Sequence, residues 1–298
     1  MRCASWVAAM TIVTGLGACS LTTSLDGLSN GEVVETPGGS DATSPDAATS
    51  DGALDTGPGT DTGTNADAEA GAAAYRAVVL ADAPLAYYRL DDQGTTAKDE
   101  TGAHDGVYMG SPTHAGGAIA GDANKAAVFD GSSDYVAVGD VLPFLATAPF
   151  TIEAWASPAN TSGPSCIASK SYASGGVSGG ITEGYTLYLD PGTSSINFLR
   201  LRNSAQDGAQ GAALTNGTFS HVVATYDGAT LEIWVNGVSV GSGPSARALV
   251  SHTKPLTIGA SRGGIYCYFR GALDEVAFYG AALPSARIAA HFKAGTGK

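Results

Sequence analysis

Residues Ser220–Ser242 read SHVVATYDGATLEIWVNGVSVGS, three short runs separated by Asp227-Gly228 and Asn236-Gly237. Val222, Ala224 and Tyr226 alternate with their neighbours, and Leu231, Ile233 and Val235 alternate again. Successive side chains on a strand point to opposite faces, so this period marks strands with one buried face. Asp-Gly and Asn-Gly between such runs predict tight hairpins, because type I′ turns require positive φ at both central residues. The stretch therefore predicts an antiparallel β-meander.

Outward from the meander, short β-type runs recur at Ala86–Leu90, Ala126–Asp130, Tyr135–Val138, Phe150–Ala156, Cys166–Lys170, Tyr185–Leu189, Ile196–Arg202, Leu256–Ala260 and Phe269–Tyr279. No convincing crossover helix separates them, which predicts an all-β, two-sheet antiparallel sandwich of jelly-roll type. Two short peripheral helices are expected, at Tyr75–Leu80 and at Pro284–Phe292. The folded part, 75–298, is of a size that suits a single core.

The N-terminus has a different chemistry. Arg2 precedes an apolar run from Trp6 to Leu16, followed by Leu16-Gly17-Ala18-Cys19. The run is shorter than the ~20 residues a membrane-spanning helix needs, and it has the layout of an export signal. The tetrapeptide resembles the lipobox of bacterial lipoproteins. That resemblance implies a signal peptide at 1–18 and diacylglycerol on the Cys19 sulfur. It also implies export to the cell envelope with the lipid anchored in the membrane. Ser20, in place of an aspartate, favours the outer membrane or cell surface in a Gram-negative host.

Residues 19–74 are rich in Gly, Ala, Ser, Thr, Pro and Asp, with ten acids and no Lys or Arg between Arg2 and Arg76. Too little apolar surface is present to offset the entropy of ordering such a segment, so a disordered acidic tether is expected. It dominates the formal net charge of −13. Setting its ten acids aside leaves 18 acids against 14 bases from Arg76 onward, a mild −4. No cluster of Lys and Arg forms the footprint that phosphate binding needs, which excludes nucleic acid as an expected partner.

Of four cysteines, Cys3 leaves with the signal and Cys19 takes the lipid, so Cys166 and Cys267 remain in the folded part. Export permits a disulfide between them, and two buried thiols are the alternative.

A set of motifs carries a family resemblance. LAYYRLDD, KDETGAHDGVY, AAVFDGSSDYVAV, PFTIEAWASP, the meander, PLTIGAS and FRGALDEVAFYGAALPSARIAAHF occur in the order found in LamG-like jelly-roll domains of the concanavalin A-like lectin/glucanase superfamily. The resemblance spans Ala86 to Phe292 and implies two sheets of six or seven strands, one convex and one concave. It also implies a Ca²⁺ in rim loops, with carboxylates from Asp99 and Asp274 and a carbonyl from Thr101. Glu100-Thr101 and His104 depart from the family's usual loop residues.

Glucanases of this superfamily carry a glutamate pair on one strand, in an E-x-D-x-E or E-x-D-x-x-E run. This chain has neither. Asp274 and Glu275 are adjacent, which would place them on opposite faces of a regular strand, and Glu153 and Glu232 stand singly. His221 matches a position the family commonly fills with histidine, where a structural role is expected. Saccharides are held by aromatic faces beside polar side chains, and the candidates are Tyr172, Trp234, Tyr266 and Tyr268. Trp234 shares its strand face with Thr230 and Glu232. The expected function is non-catalytic recognition of glycan or glycoprotein by a surface lipoprotein. The alternative is an envelope module that packs against another protein and binds no sugar.

Overall fold

The computed structural model describes residues 74–159, 162–174 and 182–298. The expected signal peptide, Cys19 and the tether through residue 73 lie outside the described residues. Among these, every named strand pairs antiparallel and two sheets of eight form, so each is larger than the six or seven expected. One sheet runs β14 (Val238–Pro244), β13 (Thr230–Val235), β12 (Ser220–Tyr226), β7 (Phe150–Pro158), β16 (Arg270–Tyr279), β5 (Lys125–Asp130), β4 (Thr113–Gly116), with β1 (Ala86–Tyr88) also on β16. The other runs β11 (Ala205–Ala213), β10 (Ser195–Arg202), β9 (Thr182–Leu189), β8 (Ser165–Ala173), β15 (Leu256–Ile258), β6 (Tyr135–Gly139), β3 (Gly106–Met109), β2 (Thr96–Ala97).

The meander forms with the expected faces. Val222, Ala224 and Tyr226 pair with Val235, Ile233 and Leu231 and turn into the core, while Thr225 lies opposite Glu232 and Val223 opposite Trp234 on the outer face. The two turns differ. Asn236 (φ 52°) and Gly237 (φ 78°) make the predicted two-residue turn with both φ positive. Asp227 does not adopt positive φ; residues 227–229 make a longer loop in which Asp227 Oδ1 accepts from the N–H groups of Ala229 (2.8 Å) and Thr230 (2.7 Å). Its carboxylate thus replaces backbone pairing that the tighter turn would have provided.

Inward residues of both sheets build one core around Phe150. Its ring stacks on Phe144 at 4.4 Å and meets Tyr185, Phe198 and Tyr226 within 6.0 Å. The outer face of the first sheet carries a second cluster, including Tyr75, Val79, Tyr87, Trp155 and Tyr279. Two helices bring residues to it: α1 over residues 74–81 and α2 at Ser285–Thr296. In α2, Ile288, His291 and Gly295 are buried at helical spacing. Gly295 permits the close approach, since a Cβ there would lie 2.4 Å from Cζ2 of Trp155. No described helix is long and apolar enough to cross a membrane.

Candidate functional site

The outer face of β13 stays accessible beside the start of α2, while β12 is buried along its length, and a groove of about 470 Å³ forms there. Its floor is Thr225, Thr230, Glu232 and Trp234, the outward set that the two-residue strand period places together. Asp227 closes one end, and Ala282, Leu283, Pro284 and Ser285 make the facing wall. That wall is tied down by Thr151 on β7, whose hydroxyl donates to the carbonyl of Ala281 (2.7 Å) and accepts from the N–H of Leu283 (2.9 Å). Thr225, Thr230 and Ser285 add hydroxyl-bearing side chains to the lining. Glu232 accepts from the Ser239 hydroxyl through Oε1. The Trp234 Nε1–H is buried and has no acceptor among the described residues. The groove therefore offers an indole beside acids and hydroxyls, a donor and acceptor set for a polyhydroxylated ligand.

Beneath the helices lies a sealed charged cluster. Glu153, fully buried on β7, accepts from His221 Nε2 (2.7 Å), His291 Nδ1 (3.0 Å), Tyr75 (3.1 Å) and Tyr279 (2.6 Å). His291 reaches Asp82 through Nε2 at 2.8 Å, so both ring nitrogens meet carboxylates and the ring is an imidazolium. Burial opposes the charge on Glu153, but His291 and His221 outweigh it and hold this carboxyl far below the usual range. Burial likewise opposes a proton on His291, yet Glu153 and then Asp82 keep its pKa above the ordinary histidine value. Asp82 also takes both contacts from Arg287 Nε, at 2.8 and 2.9 Å. The result is a clamp joining α1, α2 and β7. His221 is fully buried within it.

Asp274 and Glu275 correct an expectation. The strand is not regular there: Glu275 has φ 53° and the β16–β7 register slips between Asp274 and Ala277. This bulge brings the two carboxyls together, so that Asn124 Nδ2 donates to both Asp274 Oδ1 (3.2 Å) and Glu275 Oε1 (2.9 Å). The Tyr87 hydroxyl and Arg89 also donate to Glu275. Burial, and for Glu275 the neighbouring Asp274 charge, raises both pKa values. Both side chains are closed off from solvent, at 0% and 1% exposure.

The calcium set expected from the resemblance does not fit these contacts. Asp99 already takes five donors: the N–H groups of Tyr87 and Thr101 on Oδ1, and those of Ala103 and His104 with the Thr101 hydroxyl on Oδ2. A carboxylate has about four lone-pair sites, so Asp99 is saturated in organising its own loop. Asp274 is engaged instead by the Ala118 N–H at 2.7 Å and by Asn124. No three His, Cys, Asp or Glu side chains among the described residues are grouped to hold a metal.

Of the aromatic candidates, only Trp234 lines the groove. Tyr172, half-buried on β8, packs against His252 with ring centres 6.1 Å apart. Tyr266 lies under the Arg262 guanidinium at 4.5 Å. Tyr268 donates to the carbonyl of Gly264 (2.7 Å) and leans on Tyr135. Cys166 and Cys267 are neighbours, the N–H of Cys166 donating to the carbonyl of Cys267 at 2.9 Å, and both are free thiols here. Hydrogen bonding to Cys166, with burial, pushes the Cys267 thiol well up. Sequence reasoning missed the wall at Ala282–Ser285 and the part of Asp227, which carried only a turn signal.

A sequence profile of the concanavalin A-like lectin/glucanases superfamily matches residues 130–289, more than half of the chain. The chain belongs to that superfamily. Solved structures agree on the fold. Domain 4 of a GH43 extracellular arabinanase from Geobacillus stearothermophilus, solved in complex with arabinotriose, is 17% identical with a TM-score of 0.52, over 70% of this chain and 97% of that one. The binding domain of Paraclostridial mosquitocidal protein 1 is 12% identical with a TM-score of 0.54, over 70% and 52%. A Trypanosoma rangeli sialidase mutant displaying trans-sialidase activity is 17% identical with a TM-score of 0.51, over 72% and 33%. The chain thus spans nearly all of the arabinanase domain, about half of the mosquitocidal-protein domain and a third of the sialidase. No curated protein matches the sequence.

Proposed function

We propose that this domain is a non-catalytic carbohydrate-recognition module, displayed on the cell envelope by a lipid on Cys19. The observation that carries the recognition reading is the groove at Trp234, where one indole lies among Thr225, Asp227, Thr230, Glu232 and Ser285. An aromatic face packs on the C–H side of a sugar ring while carboxylates and hydroxyls exchange hydrogen bonds with its hydroxyls. The arabinanase domain, solved with arabinotriose, supports a saccharide as a ligand compatible with this fold. Binding without hydrolysis is supported by the state of four of the acids, Asp227, Glu153, Asp274 and Glu275. Hydrolysis needs a carboxyl kept protonated near the leaving oxygen. Asp227 is held below the usual range by the N–H groups of Thr230 and Ala229, while Glu153, Asp274 and Glu275 are sealed from any substrate.

A glycan array probed with wild-type protein and with Trp234→Ala tests the reading. Hits are expected for the wild type, with affinity at least roughly tenfold weaker for the variant, as for a tryptophan anchor. An array without hits, both with added calcium and with chelator, would favour the envelope-packing alternative. For the anchor, Cys19→Ser is expected to abolish labelling by a fatty-acid probe in cells, and persistent labelling would remove Cys19 from the account.

A further inference from the structure

We infer that the Trp234 groove selects its saccharide by charge, accepting neutral sugars, holding amino sugars most tightly and rejecting those that carry a carboxylate. This rests on the groove being the glycan site. Two of its nine lining residues are acids and none is Lys, Arg or His. Each acid keeps one oxygen uncommitted among the described residues. Asp227 uses Oδ1 for the N–H groups of Ala229 and Thr230, and Glu232 uses Oε1 for the Ser239 hydroxyl. Asp227 Oδ2 and Glu232 Oε2 are left for the ligand.

Among the described residues that line the groove, the facing wall supplies the only opposing charge. Pro284 and Ser285 begin α2, which has no side-chain cap and no acid in its first turn. Such a terminus is worth about half a positive charge, against two full negative charges on the other side. The nearest base along α2, Arg287, is committed to Asp82 and to the carbonyl of Val78. A ligand carboxylate would therefore lie beside two like charges with no cation to pair, whereas an ammonium would be drawn to both. The hydroxyls of a neutral sugar can donate to the same two oxygens and accept from the N–H groups of Ser285 and Ala286, the first-turn donors left when Arg287 and Ile288 bond the Pro284 carbonyl.

The test titrates three probes into the full chain at low and high salt: an N-acetylglucosamine oligomer (neutral), the matching glucosamine oligomer (cationic) and an oligogalacturonate (anionic). A glycan array that contains sialylated, uronate, amino and neutral members is run beside them. Trp234-dependent hits are expected to be confined to the neutral and amino classes. The amino member of a matched pair should bind about tenfold or more tighter at low salt, the preference shrinking as salt screens it. Asp227→Asn and Glu232→Gln keep the shapes and the Asp227 turn bonds, and each should reduce that preference. Trp234-dependent binding of sialylated or uronate glycans would overturn the charge rule while leaving glycan recognition standing, as would a preference unchanged in both variants. No Trp234-dependent hit in any class would overturn the glycan reading and this inference with it.

Discussion

Glu153→Gln probes the clamp that positions α2, and with it one wall of the groove. The carboxylate has no exposed surface and gathers four side-chain donors, from Tyr75, His221, His291 and Tyr279. The amide keeps the volume, removes the charge that favours the His291 imidazolium, and turns one acceptor into a donor facing other donors. Removing one partner of a buried ion pair costs about 3–5 kcal/mol, and the isosteric change should fall at the lower end. With a urea m-value of about 3 kcal/mol/M for a domain of this size, the unfolding midpoint should drop by roughly 1 M. The pH dependence follows from the two shifts. Glu153, depressed in the fold, stabilises above the unfolded carboxylate value and loses that contribution as pH falls. His291, raised in the fold, contributes fully below the unfolded histidine value and loses it as pH rises through its folded value. The gap between wild type and variant should thus be widest between about pH 4.5 and 6.5, measured by circular dichroism. A midpoint shift below about 0.3 M at pH 6 would refute the clamp, since it would mean that less than roughly 1 kcal/mol is stored there.

Phe150→Ala opens a cavity among four aromatic rings and should cost about 3–5 kcal/mol in the same urea assay, whereas Trp234→Phe trims a half-buried indole, whose N–H has no acceptor among the described residues, to a smaller ring and should change stability by less than about 1 kcal/mol. Gly295→Ala would drive a methyl into Trp155, so loss of stability is expected even though alanine is the better helix former. Oxidation of the adjacent Cys166 and Cys267 thiols by a disulfide reagent should close one bridge, seen as loss of both free thiols and of two hydrogens by mass. Closing a loop of about 100 residues would raise stability by up to about 4.7 kcal/mol; two thiols that remain reactive after such treatment would argue against their pairing.

Much of the fold was legible because the core strands alternate. Val222, Ala224, Leu231 and Ile233 announce a buried face in any context. The edge strand Ala205–Ala213, AQDGAQGAA, does not, since with few apolar side chains it is held mainly by backbone pairing to β10. Gly106–Met109 is hidden because its apolar Val107 and Met109 face outward while Gly106 and Tyr108 are buried, and Thr113–Gly116 because it buries no residue. Trp234, Glu232 and Thr230 were legible as one outward face, but the opposite wall comes from residues 282–285, which only tertiary packing brings near. The Glu153 clamp joins residues 71 positions apart (Asp82) and 138 apart (His291), so no local spacing could reveal it. The juxtaposition of Asp274 and Glu275 was hidden by a bulge, which inverts the side-chain alternation that the regular strand predicts.

Saccharide recognition at Trp234 is tested most directly by the indole N–H signals in a ¹H–¹⁵N spectrum. The sequence holds three tryptophans, Trp6, Trp155 and Trp234, and Trp234→Phe assigns the one at the groove. On titration with the oligosaccharide that binds best on the array, the Trp234 signal should shift in saturable fashion while the sealed Trp155 signal stays in place. Saturable binding that moves other residues and leaves Trp234 unchanged would contradict the account.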